Sequence, residues 1–282
     1  MREYVIVTDS CCDFSQDLIR DLDLTVIPLS VQLGEDRFRN CPDEAPESHV
    51  FYTRLSRGEP AQTSAPNVEE FKDCFLPFLR QGKDVLYLGF SSGLSGTYHN
   101  GAMAAEELQE EFPEAKVITV DTLCASMGQG LLVDLAVQEK RKGKDIEAVR
   151  DFVRETIPHL CHWFTVGDLS QLRRGAGKAI VGNLLNIKPV LHVDDQGHLV
   201  PMESAKGRKK SIEALLKHME ESAIDPQNQR IYISHGDCLD EARALAAMIQ
   251  ERLHVVSVTI GDVGPVIGAH SGLGLFFLGT QR

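Results

Sequence analysis

The chain has 282 residues, 43% hydrophobic and 25% charged, with 23 Gly and 12 Pro. That composition belongs to ordered globular proteins and excludes collagen, coiled coil and intrinsic disorder. Lys plus Arg at 29 against Asp plus Glu at 41 gives a formal net charge of −12, which excludes nucleic acid and anionic membrane surfaces as default partners, because both require a basic footprint.

The first residues enter a strand-like run at Tyr4–Val7 with no basic region followed by an apolar segment, so no signal peptide is expected. Further β-branched runs predict strands at Leu24–Val31, Val85–Phe90 and Lys116–Val120. Between them lie amphipathic helices. Val68–Leu79 places Phe71, Phe75 and Phe78 on one face, a second helix runs from about Thr97 to Glu111, and Gly128–Lys140 gathers Leu131, Leu132, Leu135 and Ala136. The charged turn Arg141–Asp145 separates that helix from another at Ile146–Thr156. Strands alternating with helices predict βαβ units and a mainly parallel sheet. Beyond Pro158 the pattern changes. Strands are expected at Trp163–Val166, Ile187–Val193, Arg230–Ser234 and Val255–Ile260, and a hairpin joins Leu191–Asp195 to His198–Met202 through Gln196-Gly197. A boundary near residue 158 and an antiparallel or mixed second sheet follow.

The apolar stretches, Val85–Phe90 among the longest, fall far short of the ~20 residues of a membrane span, so a soluble protein without stable membrane insertion is expected. Cys11, Cys12, Cys41, Cys74, Cys124, Cys161 and Cys238 are odd in number and form no CxxC pair. They read as reduced thiols of a cytoplasmic protein. His159 and His162 have no second ligand pair, so no zinc site is expected.

Four polar segments are candidates for chemistry. Ser91-Ser92-Gly93-Leu94-Ser95-Gly96-Thr97-Tyr98 joins a strand to a helix. Such a turn aims backbone N–H groups and hydroxyls at one point where the helix dipole favours an anion. Capping of the helix by Ser95 explains the same residues. Gln62-Thr63-Ser64-Ala65-Pro66-Asn67 reads as a helix entry. Val7-Thr8-Asp9-Ser10 ends the first strand, the ligand-facing edge of an open α/β sheet. Gly264–Gly274 packs four glycines and His270 into eleven residues, which suits either close backbone approach to a ligand or a crossover between strands.

Nucleotide motifs fail. Gly175-Ala176-Gly177-Lys178-Ala179 lacks the phosphate-loop Gly at Leu172 and the Ser or Thr at Ala179, and no GxGxxG follows the first strand. Gly93-Leu94-Ser95-Gly96-Thr97 approximates the serine-hydrolase elbow with Thr at its last position. Ser95 as nucleophile, Asp237 as acid and His270 as base define an alternative reading, a serine esterase or lipase-like hydrolase.

In series, Val7-Thr8-Asp9-Ser10, Val26-Ile27-Pro28-Leu29, Phe51-Tyr52, Thr63-Ser64-Ala65-Pro66, Ser91–Tyr98, Asn186-Ile187-Lys188-Pro189-Val190 and Gly264–Gly274 resemble the DegV family over nearly the whole chain. The resemblance implies an α/β fold of two domains. Residues 1–158 would form an α/β/α domain with a parallel sheet, carrying the Thr63 and Ser95 loops; residues 159–282 would form a smaller mixed-sheet domain carrying Arg208 and His270. It implies a non-enzymatic carrier with no cofactor, which buries a long-chain fatty acid and presents its carboxyl group to a separate fatty-acid kinase that makes acyl phosphate for phospholipid synthesis. The family's carboxylate contacts fall on Thr63, in Thr-Ser-x-Pro, and on Ser95, in Ser-Gly-x-Ser-Gly. The Gly96 amide is a further donor, and His270 is placed to join or polarise the site. Arg208, in Lys206-Gly207-Arg208-Lys209-Lys210, matches a basic position associated with kinase docking. One departure stands out: the segment Leu172–Leu185, around Gly175–Lys178, is shorter than in relatives.

Overall fold

The computed structural model describes residues 2–167 and 186–281. Among them, strands β1 (Tyr4–Asp9), β2 (Thr25–Ile27), β6 (Asp84–Gly89) and β7 (Val117–Asp121) form a parallel sheet in the order β2-β1-β6-β7. Period-2 alternation sorts its side chains into two layers. Val85 and Tyr87 face the Val68–Arg80 and Thr97–Glu111 helices, packing on Phe71, Phe75 and Leu108. Leu86 and Leu88 face the opposite way, onto Leu132, Ala136, Val149 and Val153 of the Ser126–Arg141 and Ile146–Thr156 helices. Local signals agree with these helices: an Asn67–Glu70 capping box starts the first, and the Asp145 side chain caps the last.

The second sheet is mixed and wider. Strands β8 (Leu160–Val166), β9 (Ile187–Val193), β10 (Leu199–Lys206), β11 (Arg230–Gly236), β12 (Ser257–Asp262) and β13 (Gly274–Gln281) run in the order β10-β9-β8-β13-β11-β12. Of these pairs only β11 with β12 is parallel. One face of this sheet, including Trp163, Val190 and Ile231, is covered by the Arg208–Ser222 and Leu239–Leu253 helices. Its other face, through Phe164, Val166 and Leu191, packs against Leu29, Phe51, Tyr52 and Phe90 from the first half of the chain. A hydrophobic layer therefore lies between this face of the mixed sheet and segments that follow the parallel strands, such as Leu29 and Phe90.

Three local differences from the sequence reading have physical causes. The run Leu24–Val31 is two strands in different sheets, because Pro28 has no N–H to donate to a continuing ladder; β3 (Ser30–Leu33) pairs with β4 (Asp36–Arg39) and β5 (Ala61–Ser64) in a small antiparallel sheet. The Gln62–Asn67 segment does enter a helix, with Asn67 as its cap, but Gln62–Ser64 before it is strand, and β4 is a charged Asp-Arg-Phe-Arg with no apolar alternation to announce it. The glycine-rich stretch contains a short helix, Pro265–Ser271, before β13. Segment Leu172–Leu185 lies outside the described residues. Among the described residues, no helix is long and apolar enough to cross a membrane and no group of three His, Cys, Asp or Glu is placed to hold a metal ion.

Candidate functional site

A cavity of about 210 Å³ opens inside this hydrophobic layer. Leu29, Phe90, Leu94, Ala125, Phe164, Leu199, Val266 and Ile267 make its wall apolar; Thr63, Ser95, His270 and Ser271 supply the polar groups. Its residues come from both halves of the chain, as is common for ligand sites between packed units.

Each polar group is placed by its own element. On β5, Gln62 and Ser64 are exposed while Thr63 is half-buried, the consequence of strand alternation with Thr63 opposite Val31 of β3. His270 sits near the end of the Pro265–Ser271 helix. That helix lies close on Phe51 and Tyr52: a Cβ added at Gly268 would stand 2.6 Å from Tyr52 Oη and 2.9 Å from a Phe51 ring carbon, so only glycine permits this approach. Thr63 Oγ1 and His270 Nε2 are 2.8 Å apart, a hydrogen bond whose donor depends on the imidazole tautomer. Burial holds the His270 imidazole below its usual pKa, and so neutral near pH 7.

Ser95 ends a tight turn in which Leu94 and Ser95 donate their amides to the Ser91 carbonyl. Its hydroxyl accepts from Thr97 N (3.2 Å) and lies 2.8 Å from Thr97 Oγ1. Ser95 thus takes one first-turn amide of the Thr97–Glu111 helix and also borders the cavity. Gly96 is exposed beside it at the helix start, with nothing within 4 Å of an added Cβ. Among the described residues no Lys or Arg lines the cavity, and the described polar groups that would face an anion here are hydroxyls and a neutral imidazole.

The N-terminal motif does not line the cavity; it holds residues that do. The buried Asp9 carboxylate accepts from Phe90 N (2.8 Å), Tyr87 Oη (2.8 Å) and Cys11 N (3.1 Å). Ser10 Oγ accepts from Leu29 N (3.0 Å). The first strand's edge therefore fixes two apolar walls. Sequence reasoning found the motif but assigned it to the ligand edge, and it missed the apolar lining because such residues read as ordinary core.

The hydrolase constellation does not assemble. Asp237 pairs with His49, at 3.0 Å, while His270 is bonded to Thr63 and the Ser95 hydroxyl to Thr97. The base is thus bound to neither the nucleophile nor the acid that a triad requires. Arg208 lies apart from the cavity, at the start of its helix: Nε and Nη2 both bond Glu241, at 2.8 and 2.7 Å. Neighbouring Lys209 and Lys210 are exposed. His162 is a packed histidine against Gly128, its pKa pushed down to about 3 by burial.

Comparison with known proteins adds three findings. The model of the DegV family, described as an uncharacterised protein family, matches residues 3–280. A DegV domain-containing protein of Clostridium perfringens is 41% identical over 289 aligned positions, covering 100% of this chain and 99% of the relative. Among solved structures, a fatty-acid-binding DegV family protein from Thermus thermophilus superposes with a TM-score of 0.90 at 30% identity over 100% of both chains. The fatty acid kinase (Fak) B3 protein of Streptococcus pneumoniae, loaded with linoleic acid, has a TM-score of 0.85 over 99% of this chain and 100% of its own; at 19% identity that likeness speaks for the fold alone.

Proposed function

Because the chain belongs to the DegV family, we propose that it binds a long-chain fatty acid in this cavity and presents the carboxyl group to a separate fatty-acid kinase. The observation that carries this reading is an apolar cavity whose polar groups are neutral hydrogen-bonding side chains, Thr63, Ser95, His270 and Ser271. The solved relative from Thermus thermophilus, which binds fatty acid, supports the same ligand class.

The energetics favour a tail-driven ligand. Roughly fourteen buried methylenes at ~0.8 kcal/mol each contribute roughly 11 kcal/mol, against an association cost of ~4–15 kcal/mol. The carboxylate then adds orientation more than affinity. Protein charge of −12 disfavours an anion at long range, but salt screens that field within about 8 Å, and local donors decide. In this reading Thr63 and Ser95 hold the carboxylate, Gly96 offers its amide at the helix start, and His270 orients Thr63. The protein is a cytoplasmic carrier, not a catalyst: phosphoryl transfer belongs to the kinase, and the product would feed phospholipid synthesis. Arg208, with the exposed Lys209 and Lys210, forms the proposed kinase-facing surface.

Organic extraction of the purified native chain followed by mass spectrometry tests the ligand. About one fatty acid per chain is expected. A protein that is empty and takes up none when offered palmitate would overturn the reading.

A further inference from the structure

Asp13 is buried at the end of the turn that follows β1, in a left-handed conformation (φ 54°). Its carboxylate reaches two distant elements directly and a third through Ser126. Oδ2 accepts from Ser126 Oγ (2.6 Å), at the start of the Ser126–Arg141 helix, and Ser126 Oγ is 2.8 Å from Ser234 Oγ on β11. Oδ1 accepts from Gly264 N (3.0 Å), 251 residues away. Gly264 is the N-cap of the Pro265–Ser271 helix, which contributes Val266, Ile267, His270 and Ser271 to the cavity. One carboxylate in the first half of the chain therefore anchors the helix that brings His270 to Thr63.

We propose that Asp13 is a positioning residue for the fatty-acid site: its ionised carboxylate, through Gly264, holds the His270 helix in the arrangement that binds the headgroup. This rests on the fatty-acid reading of the cavity and adds to it a residue that does not touch the ligand.

The surroundings make the anchor sensitive to protons. Asp13 borders a groove of about 500 Å³ shared with Asp43, Glu47 and Asp262, and among the described residues no Lys or Arg lines it. The groups facing Asp13 are Asp9, Cys11 and Cys12 on its own strand and turn, Tyr52 from the Ser48–Ser56 helix, and Asp262 from the end of β12. Asp262 in turn lies 3.6 Å from His235 Nδ1. Burial is the main cause pushing the Asp13 carboxyl up to about 7, offset by its two hydrogen bonds. Protonation weakens the charge-assisted bond to Gly264 N and loosens the helix behind His270.

The test is palmitate affinity of the delipidated full-length chain, measured by displacement of cis-parinaric acid from pH 5 to pH 9, for wild type and Asp13→Asn. Titration of the ligand affects both proteins equally, so the quantity read is the ratio of their affinities. The ratio is expected near one at pH 5 and roughly tenfold in favour of wild type by pH 8, the worth of one bond to a charged group. A ratio that stays flat across the range overturns the role of Asp13, whereas a wild type that binds no palmitate at any pH overturns the fatty-acid reading instead. Should Asp13→Asn fail to fold, Ser126→Ala serves: removing the Ser126 bond raises the Asp13 pKa, so the midpoint of the pH dependence must move upward. An unmoved midpoint overturns the proposal.

Discussion

Thr63 and His270 stand 207 residues apart in the chain and share a hydrogen bond of 2.8 Å in a cavity walled mostly by apolar side chains. Neither carries a charge near neutral pH, since burial depresses the imidazole. A half-buried hydroxyl held by a neutral histidine is directional. It suits a carboxylate that must be oriented rather than neutralised.

That pair gives the first prediction. Thr63→Val keeps the shape of the side chain and removes the hydroxyl, leaving His270 Nε2 without its partner. Palmitate affinity is expected to fall roughly tenfold, the worth of a hydrogen bond to a charged group, with little change in melting temperature. Isothermal titration and circular-dichroism melting check both parts, and an unchanged affinity would remove Thr63 from the headgroup site.

Ser95→Ala separates holding the tail from presenting the head. Tail burial supplies most of the binding energy, so the variant should still extract with about one fatty acid per chain. Acyl-phosphate formation by a fatty-acid kinase should drop by an order of magnitude or more, read by hydroxylamine trapping. Undiminished kinase turnover would refute the role. Ester hydrolysis by wild type that Ser95→Ala abolishes would instead favour the hydrolase reading.

The β9–β10 hairpin seats its turn on the serine-rich loop: Ser91 Oγ donates to the Gly197 carbonyl at 2.9 Å. Gly197 has φ +77°, and a Cβ there would stand 2.1 Å from Ser91 Oγ. Gly197→Ala is therefore both strained and obstructed, at a cost of ~1–3 kcal/mol. A lowered urea midpoint and partial loss of bound lipid are expected, because Leu199, two residues on, lines the cavity. A wild-type midpoint would show that the turn is free to move off the loop.

Asp13 also predicts how stability varies with pH. Its native pKa of about 7 lies above the ordinary value of 3.8. Between those values the native state keeps a proton that the unfolded chain has released, so this group's contribution to stability falls as pH rises through the window and levels off above it. Asp13→Asn removes that dependence. The variant's melting temperature relative to wild type should climb from pH 4 to pH 7 and then plateau. A constant difference across that range would show that Asp13 is ionised throughout. A variant that is more stable yet binds palmitate more weakly above pH 7 matches a residue kept for positioning at the expense of stability.

The sequence by itself determined the parallel sheet and its helices, because periodicity and caps are local signals: Phe71 and Phe75 at helical spacing, the Asn67–Glu70 box, and alternating β6 residues that bury both faces. It also placed Thr63, Ser95 and His270 in motifs of the right family, though the helix entry after Thr63 was read without the strand before it and the His270 segment as a loop or crossover. Tertiary structure alone decided the rest. That Asp9 and Ser10 grip the amides of Phe90 and Leu29, that Asp237 is bonded to His49 instead of His270, and that Asp13 anchors the His270 helix through Gly264 are all contacts between residues far apart in the chain. No local pattern encodes them. The cavity wall was illegible for the same reason: Phe164 in the wholly buried β8 and Leu199 at the start of β10 are apolar whether they face a ligand or another side chain, and only tertiary packing fixes which space stays open.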